Sequence, residues 1–223
     1  MTDLIPTARS KVKRLHERGR YDMDTIHAFL DAGFLCHVGY SIDGQPYVTP
    51  TSYWRDGDRV YWHGSSASRM LRTLEKGVDV CFTVTHVDGL VLARSAFHHS
   101  INYRSVMLFG KAHKLVEESD KLRALEDFVE RMFPGRWREL RPATSQEVKA
   151  TTVLSMIIDE GSAKLRTGPP KDDEEDYTWP VWAGVVPVHA VVGAPVRDND
   201  VVDTPAYVHT LTHIGLNKEG NGT

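Results

Sequence analysis

From Phe34 onward, apolar and polar positions alternate with a period near two, and short polar turns interrupt the alternation. The segments Phe34–Ser41, Pro46–Trp54, Arg59–Gly64, Asp79–Val87, Leu90–Phe97 and a long one from about Tyr103 to Val116 read as six strands. Asp43-Gly44, Arg55–Asp58 and Asp88-Gly89 carry the turn residues between them. Short turns between successive strands predict an antiparallel meander, and six strands suffice to close a small barrel. A helical period replaces the alternation in three places. Asp22–Asp31 places Met23, Ile26 and Leu30 on one side and stops at Gly33; Ser66–Glu75 ends near Gly77; and Leu122, Leu125, Phe128, Val129, Met132 and Phe133 recur before Pro134-Gly135. Thr144-x-x-Glu147 has the form of a capping box, and Thr151–Asp159 reads as a further strand returning to the barrel. There is no internal repeat and no second core. The expected organisation is one domain over 1–197, mainly β (α+β), with an N-terminal helical arm and a C-terminal tail over 198–223.

Composition narrows the class. Hydrophobic residues make up 41% of the 223-residue chain, enough to build a core. Lys and Arg number 27 against 30 Asp and Glu, so the formal charge of −3 gives no global pull toward nucleic acid or an anionic membrane. The first twenty residues are nevertheless basic (Arg9, Lys11, Lys13, Arg14, Arg18, Arg20), and Asp172–Asp176 is acidic; both read as solvated surface. Cys36 and Cys81 sit in apolar segments, as buried free thiols do. No segment resembles a signal peptide, and the apolar runs fall short of the roughly twenty residues a spanning helix needs. The expected location is the cytoplasm.

Candidate chemistry begins at Trp62-His-Gly-Ser-Ser-Ala-Ser-Arg-Met-Leu71. Ser65, Ser66 and Ser68 bracket a helix start, where backbone N–H groups lack intrahelical partners and the helix dipole favours an anion. Arg69 in the first turn opposes that dipole unless a bound phosphate engages its guanidinium. The alternative is a capped surface helix with an incidental arginine. Neither a Walker loop nor a Gly-x-Gly-x-x-Gly is present, which removes support for nucleoside-triphosphate and Rossmann sites. His98-His99 cannot easily chelate one metal, because neighbours on a strand face opposite ways. His37, His86 and His113 are scattered, and no metal site is expected.

Asn102-Tyr-Arg-Ser-Val-Met-Leu-Phe-Gly-Lys-Ala112 completes a series of three motifs, with Gly44-Gln-Pro-Tyr-Val-Thr-Pro-Thr-Ser-Tyr-Trp54 and Trp62–Leu71. In that order they resemble the pyridoxamine 5′-phosphate oxidase-like FMN-binding split-barrel family, most closely its nitroimidazole-resistance-type subgroup, over about residues 21–164. The resemblance implies a six-stranded antiparallel split β-barrel with peripheral helices, acting as a homodimer with FMN at the interface. It implies that Ser65, Ser68 and Arg69 hold the phosphate with Met70 behind them. Val48, Pro50 and Thr51 would reach the isoalloxazine, with Tyr61, Trp62 and His63 bordering it. Tyr103, Arg104 and Ser105 would contact the cofactor from the sixth strand, and Trp182 would pack near it. Tyr103 could stack on the flavin or fill the interface.

His63 is the candidate catalytic residue, since imidazole exchanges protons near neutral pH; the bland alternative is a rim histidine that hydrogen-bonds a ligand. The oxidases follow their tryptophan with Arg-x-His, whereas here Trp182 precedes Ala-Gly-Val-Val-Pro-Val-His, so true pyridoxamine-phosphate oxidation is not expected. The expected function is flavin-mediated two-electron redox chemistry on a small molecule, nitroaromatics among the options, with NAD(P)H as a donor. The rival is a non-catalytic protein binding flavin or haem, and a deazaflavin is a third cofactor option.

Overall fold

The computed structural model describes residues 3–198 and 203–209; most of the expected C-terminal tail lies outside them. Ten strands form one antiparallel sheet: β1 (Gly19–Arg20), β2 (Leu35–Ile42), β3 (Gln45–Asp56), β4 (Arg59–Ser65), β5 (Asp79–Leu92), β6 (Ser100–Lys111), β7 (His113–Lys114), β8 (Thr151–Ile157), β9 (Gly161–Arg166) and β10 (Gly184–Pro187). The order is β1-β9-β6-β5-β2-β3-β4-β8-β7, with β10 on β5. Only Ala112 separates β6 from β7, yet the sheet places them six positions apart. A flat sheet spaces neighbouring strands by about 4.8 Å, so one residue cannot bridge that span and the sheet must curl. The result is the expected split barrel, with more strands than six.

Two differences have local causes. Asp88-Gly89 is not a hairpin turn. It is a register shift inside one long β5, between Val87 paired with Tyr103 and Gly89 paired with Asn102, so the expected fourth and fifth strands are one. The N-terminal arm is mostly irregular, with a single 3-10 turn at His16–Arg18 in place of the expected helix. The Asp43-Gly44 hairpin is present, with φ of 50° and 82° as a type I′ turn requires.

β9 was not apparent in the sequence. It starts at Gly161, where an added Cβ would lie 2.6 Å from the Met107 carbonyl oxygen and 2.7 Å from Leu108 Cδ2. Gly161→Ala should therefore cost about 1–3 kcal/mol through overpacking, read as a lower midpoint in chemical denaturation with an unchanged slope.

The inner faces bury Tyr53, Trp62 and Phe82 as an aromatic centre, with Tyr53 edge-on to Phe82 at 5.3 Å and Trp62 at 5.8 Å from it. Helix α1 (Met23–Asp31), capped by Asp22 accepting from the Thr25 N–H, packs Ile26, Phe29 and Leu30 into this core. Helix α2 (Arg69–Leu74) follows β4. Helices α3 (Glu118–Met132) and α4 (Ser145–Ala150) are inserted between β7 and β8. The expected capping box is formed at Thr144 and Glu147. α3 lies over the outer face of β3 and β4, where Trp54 meets Phe128 at 5.1 Å and stacks on Tyr61 at 5.5 Å. Buried Lys121 donates to the Val148 and Thr151 carbonyls and so ties α3 to the end of α4. Among the described residues, no helix is long and apolar enough to cross a membrane.

Candidate functional site

Strand alternation sorts the predicted residues. On β4, Val60 and Trp62 point into the barrel, and Tyr61, His63 and Ser65 point outward. Trp62 is fully buried in the barrel core, so its indole is placed away from any outer surface. On β3, Val48 and Pro50 lie on the outward-facing set and are exposed; Val48 keeps 69% of its surface. Thr51 pairs with Cys36 across the β2 ladder. Val48, Pro50, Tyr61, His63 and Ser65 thus share one side of two adjacent strands.

That surface ends in the serine turn. Ser68 is the residue before α2, but its hydroxyl caps no backbone N–H, and Ser65 Oγ accepts only from Ala67 at 3.2 Å. Met70 is buried against the core behind the turn. Arg69 is exposed, with no carboxylate partner among the described residues, and its guanidinium lies 4.8 Å from the Tyr47 ring centre. The turn therefore offers uncommitted hydroxyls, the free N–H groups of a helix start and an unpaired cation, a set suited to a phosphate.

The remaining predicted contacts lie elsewhere. β6 stands three positions from β3 in the sheet, roughly 14 Å at normal strand spacing. Ser105 Oγ donates to the Lys164 carbonyl. Arg104 is committed to Asp88 by two hydrogen bonds of 2.9 and 2.8 Å. Tyr103 pairs with Arg166 on β9. Trp182 is exposed and packs over Gly184 at the start of β10. Within one chain these residues are therefore not brought together with the serine turn.

A second feature borders the first. Between α3, α4 and the Trp137–Glu139 turn lies an open cavity of about 850 Å³, within the usual range of cofactor pockets. Leu122, Leu125, Phe128, Val129 and Leu140 line it, with His63 from β4 and with Arg138 and Arg141 at its edge. Arg141 pairs with Glu147, whereas Arg138 has no carboxylate partner among the described residues. The His63 ring sits 4.8 Å from Phe128 and 5.8 Å from Trp54, and its Nδ1 is buried without a hydrogen-bond partner. Burial lowers the His63 pKa, which keeps the imidazole neutral and its lone pair available near pH 7. His63 is two residues from Ser65, so cavity and serine turn adjoin at about 7 Å. The apolar stripe of α3 reads in the sequence as core packing; in the fold much of it lines this cavity, which sequence periodicity cannot distinguish. His98 lies near Asp172 and Asp173, and its ligand atoms fall within 4.8 Å of those of Asp173 and Asp176, a grouping made by chain segments far apart in sequence.

Comparison with known proteins bears out the family and the fold. The family model described as pyridoxamine 5′-phosphate oxidase matches residues 22–165. The structure of the flavocytochrome Anf3 from Azotobacter vinelandii is 48% identical, with a TM-score of 0.89 over 94% of this chain and 99% of that one. The FAD- and haem-binding protein from Mycobacterium smegmatis is 36% identical, with a TM-score of 0.85 over 90% of this chain and 100% of that one. A candidate 5-nitroimidazole antibiotic resistance protein from Bacteroides thetaiotaomicron is 22% identical, with a TM-score of 0.48 over 66% and 85%, too distant to bear on function. No curated protein matches.

Proposed function

Because the chain belongs to the pyridoxamine 5′-phosphate oxidase family, matched over residues 22–165, we propose that it is a homodimeric redox protein binding a flavin and a haem. The observation that carries the reading is an apolar cavity with an unpartnered imidazole, next to an uncommitted phosphate cradle, in a chain 48% identical to a flavocytochrome.

For the flavin, Ser65, Ser68 and Arg69 hold the phosphate, and the outward face of Val48 and Pro50 supports the ring. The similarity to a protein that binds FAD favours FAD over the FMN expected from sequence. Arg69→Ala should weaken flavin binding by more than about tenfold, since a charge-assisted hydrogen bond contributes roughly 1.5–3 kcal/mol; fluorescence titration of the apoprotein reads this, and an unchanged affinity removes Arg69 from the site. Tyr103, Ser105 and Trp182 reach the same flavin from a second copy, which accounts for their distance from the cradle within one chain. Exposed Leu35, Val48, Val87 and Met107 supply apolar area for that contact.

For the haem, His63 would supply a ligating nitrogen, the α3 leucines and Phe128 would exclude water from it, and Arg138 would face its carboxylates. A flavin exchanges two electrons and a haem one, so the bound pair would supply stepwise electron transfer. Pyridoxamine phosphate is not the substrate, because the residues following Trp182 lack the Arg-x-His of the oxidases.

The test is the visible spectrum of the purified protein, with acid-released cofactors identified by mass. Flavin and haem bands together, each near one per chain, support the reading. Protein that binds neither on reconstitution rejects it. Anaerobic photoreduction followed by oxygen, quinones or nitroaromatics then separates turnover from storage.

A further inference from the structure

A second cleft, lined by the N-terminal arm, β9 and the segment after β5, has a different character. Its volume is about 580 Å³, and six cations face it: Arg14, Arg18 and Arg20 from the N-terminal arm, Lys164 and Arg166 from β9, and Lys171. Glu17 is the one carboxylate in its lining. Arg14, Arg18, Lys164 and Lys171 form no ion pair with any described residue. Arg20 donates to the Glu17 and Gly19 carbonyls, and Arg166 to Asn102 and the Gly168 and Pro169 carbonyls. Burial first, and then the neighbouring Arg18 charge, lower the Arg166 pKa. The arm is also held in an unusual backbone state there: Leu15, in the lining, has a φ of 54° that a branched side chain rarely adopts. Phe97 stands at the edge with 95% of its surface exposed, an open ring face for a planar base.

We propose that this cleft is a binding site for NADPH. The inference rests on the redox reading above, which requires a reductant. Six cations against one carboxylate call for a ligand with several phosphates, beyond what a lone diphosphate neutralises. NADPH carries a diphosphate and a 2′-phosphate, the latter alone worth about 1.5–2 negative charges, together with two planar bases. The cleft also adjoins the strand assigned to the flavin. Lys164 pairs directly with Ser105 and Arg166 with Tyr103, so these four side chains share one face of the β6–β9 ladder. The basic run at the start of the chain, a solvated surface by sequence alone, becomes one wall of this site.

Calorimetric titration of the purified holoprotein with NADPH, NADH and ATP tests the assignment. NADPH should bind at least about tenfold more tightly than NADH, as expected for a charge-assisted phosphate contact, and the difference should shrink as salt is raised. Arg14→Ala/Arg18→Ala, with Lys171→Gln as an independent variant, should remove the preference while flavin content stays at its wild-type level. Equal affinity for NADPH and NADH, ATP binding as tightly as NADPH, or a preference that survives both variants would overturn the proposal. Loss of the flavin reading appears separately, as wild-type protein that binds no flavin, and the coenzyme titration remains interpretable in that protein.

Discussion

Purified from haem-replete cells, His63→Ala protein is expected to carry no more than about a tenth of the wild-type haem, the scale of loss when a metal site is deprived of a positioning or ligating group. Its flavin should remain, because Ser65, Ser68 and Arg69 are untouched. The prediction follows from geometry: among the residues lining the α3–α4 cavity, His63 is the single imidazole. Truncation also opens a space beside Phe128 and Trp54, so added imidazole should enter it and restore the haem spectrum, which a merely misfolded protein would not permit. His63→Leu, close in volume, should keep the fold and lose the haem without rescue. Wild-type haem content in both variants would show that His63 does not hold the haem.

Asp31→Ala should lower the unfolding free energy by about 3–5 kcal/mol, the cost of removing one partner from a buried ion cluster. The Asp31 carboxylate, at the end of α1, accepts two hydrogen bonds from Arg55 on β3, one of them at 2.8 Å, and one from Arg131 on α3 at 2.6 Å. Its loss leaves two guanidinium groups facing one another without a counter-charge. Burial alone would raise the Asp31 pKa, but the two arginines outweigh it and the net shift is downward. A carboxylate with a depressed folded pKa contributes fully above its unfolded value, about 3.9, and loses that contribution as pH falls through the folded value. The gap between wild type and Asp31→Ala should therefore be flat from neutral pH to about 5 and narrow below about 4. A gap that instead widened in acid would contradict the assigned role.

The fold was largely legible because its signals are local. Period-two alternation, Asp43-Gly44 and the Thr144–Glu147 capping box each act within a few residues, and each element formed where those residues lie. What escaped depended on distant partners. Asp88-Gly89 reads as a turn, but Asp88 binds Arg104 and the ladder to β6 runs past it. β9 is short and begins at a glycine whose role is set by contact with Met107 and Leu108. The serine turn was legible as a motif, since its parts fall within Ser65–Arg69. The cavity and the basic cleft were not, because the first joins segments tens of positions apart and the second segments more than a hundred apart. Periodicity marks an α3 residue such as Leu125 as apolar-facing but cannot say whether it meets packed side chains or open space.

The curled sheet also has a consequence for biosynthesis. The outer edge of β4 is satisfied only by β8, whose first residue, Thr151, pairs with Ser65. The 85 residues between them must be added first, which takes roughly 4–17 s at ribosomal speeds of about 5–20 residues per second. For that interval the nascent chain presents an unpaired strand to its surroundings. The α3–α4 insertion that builds the cavity lengthens this delay, so newly made protein should depend on chaperone protection more than its size would suggest.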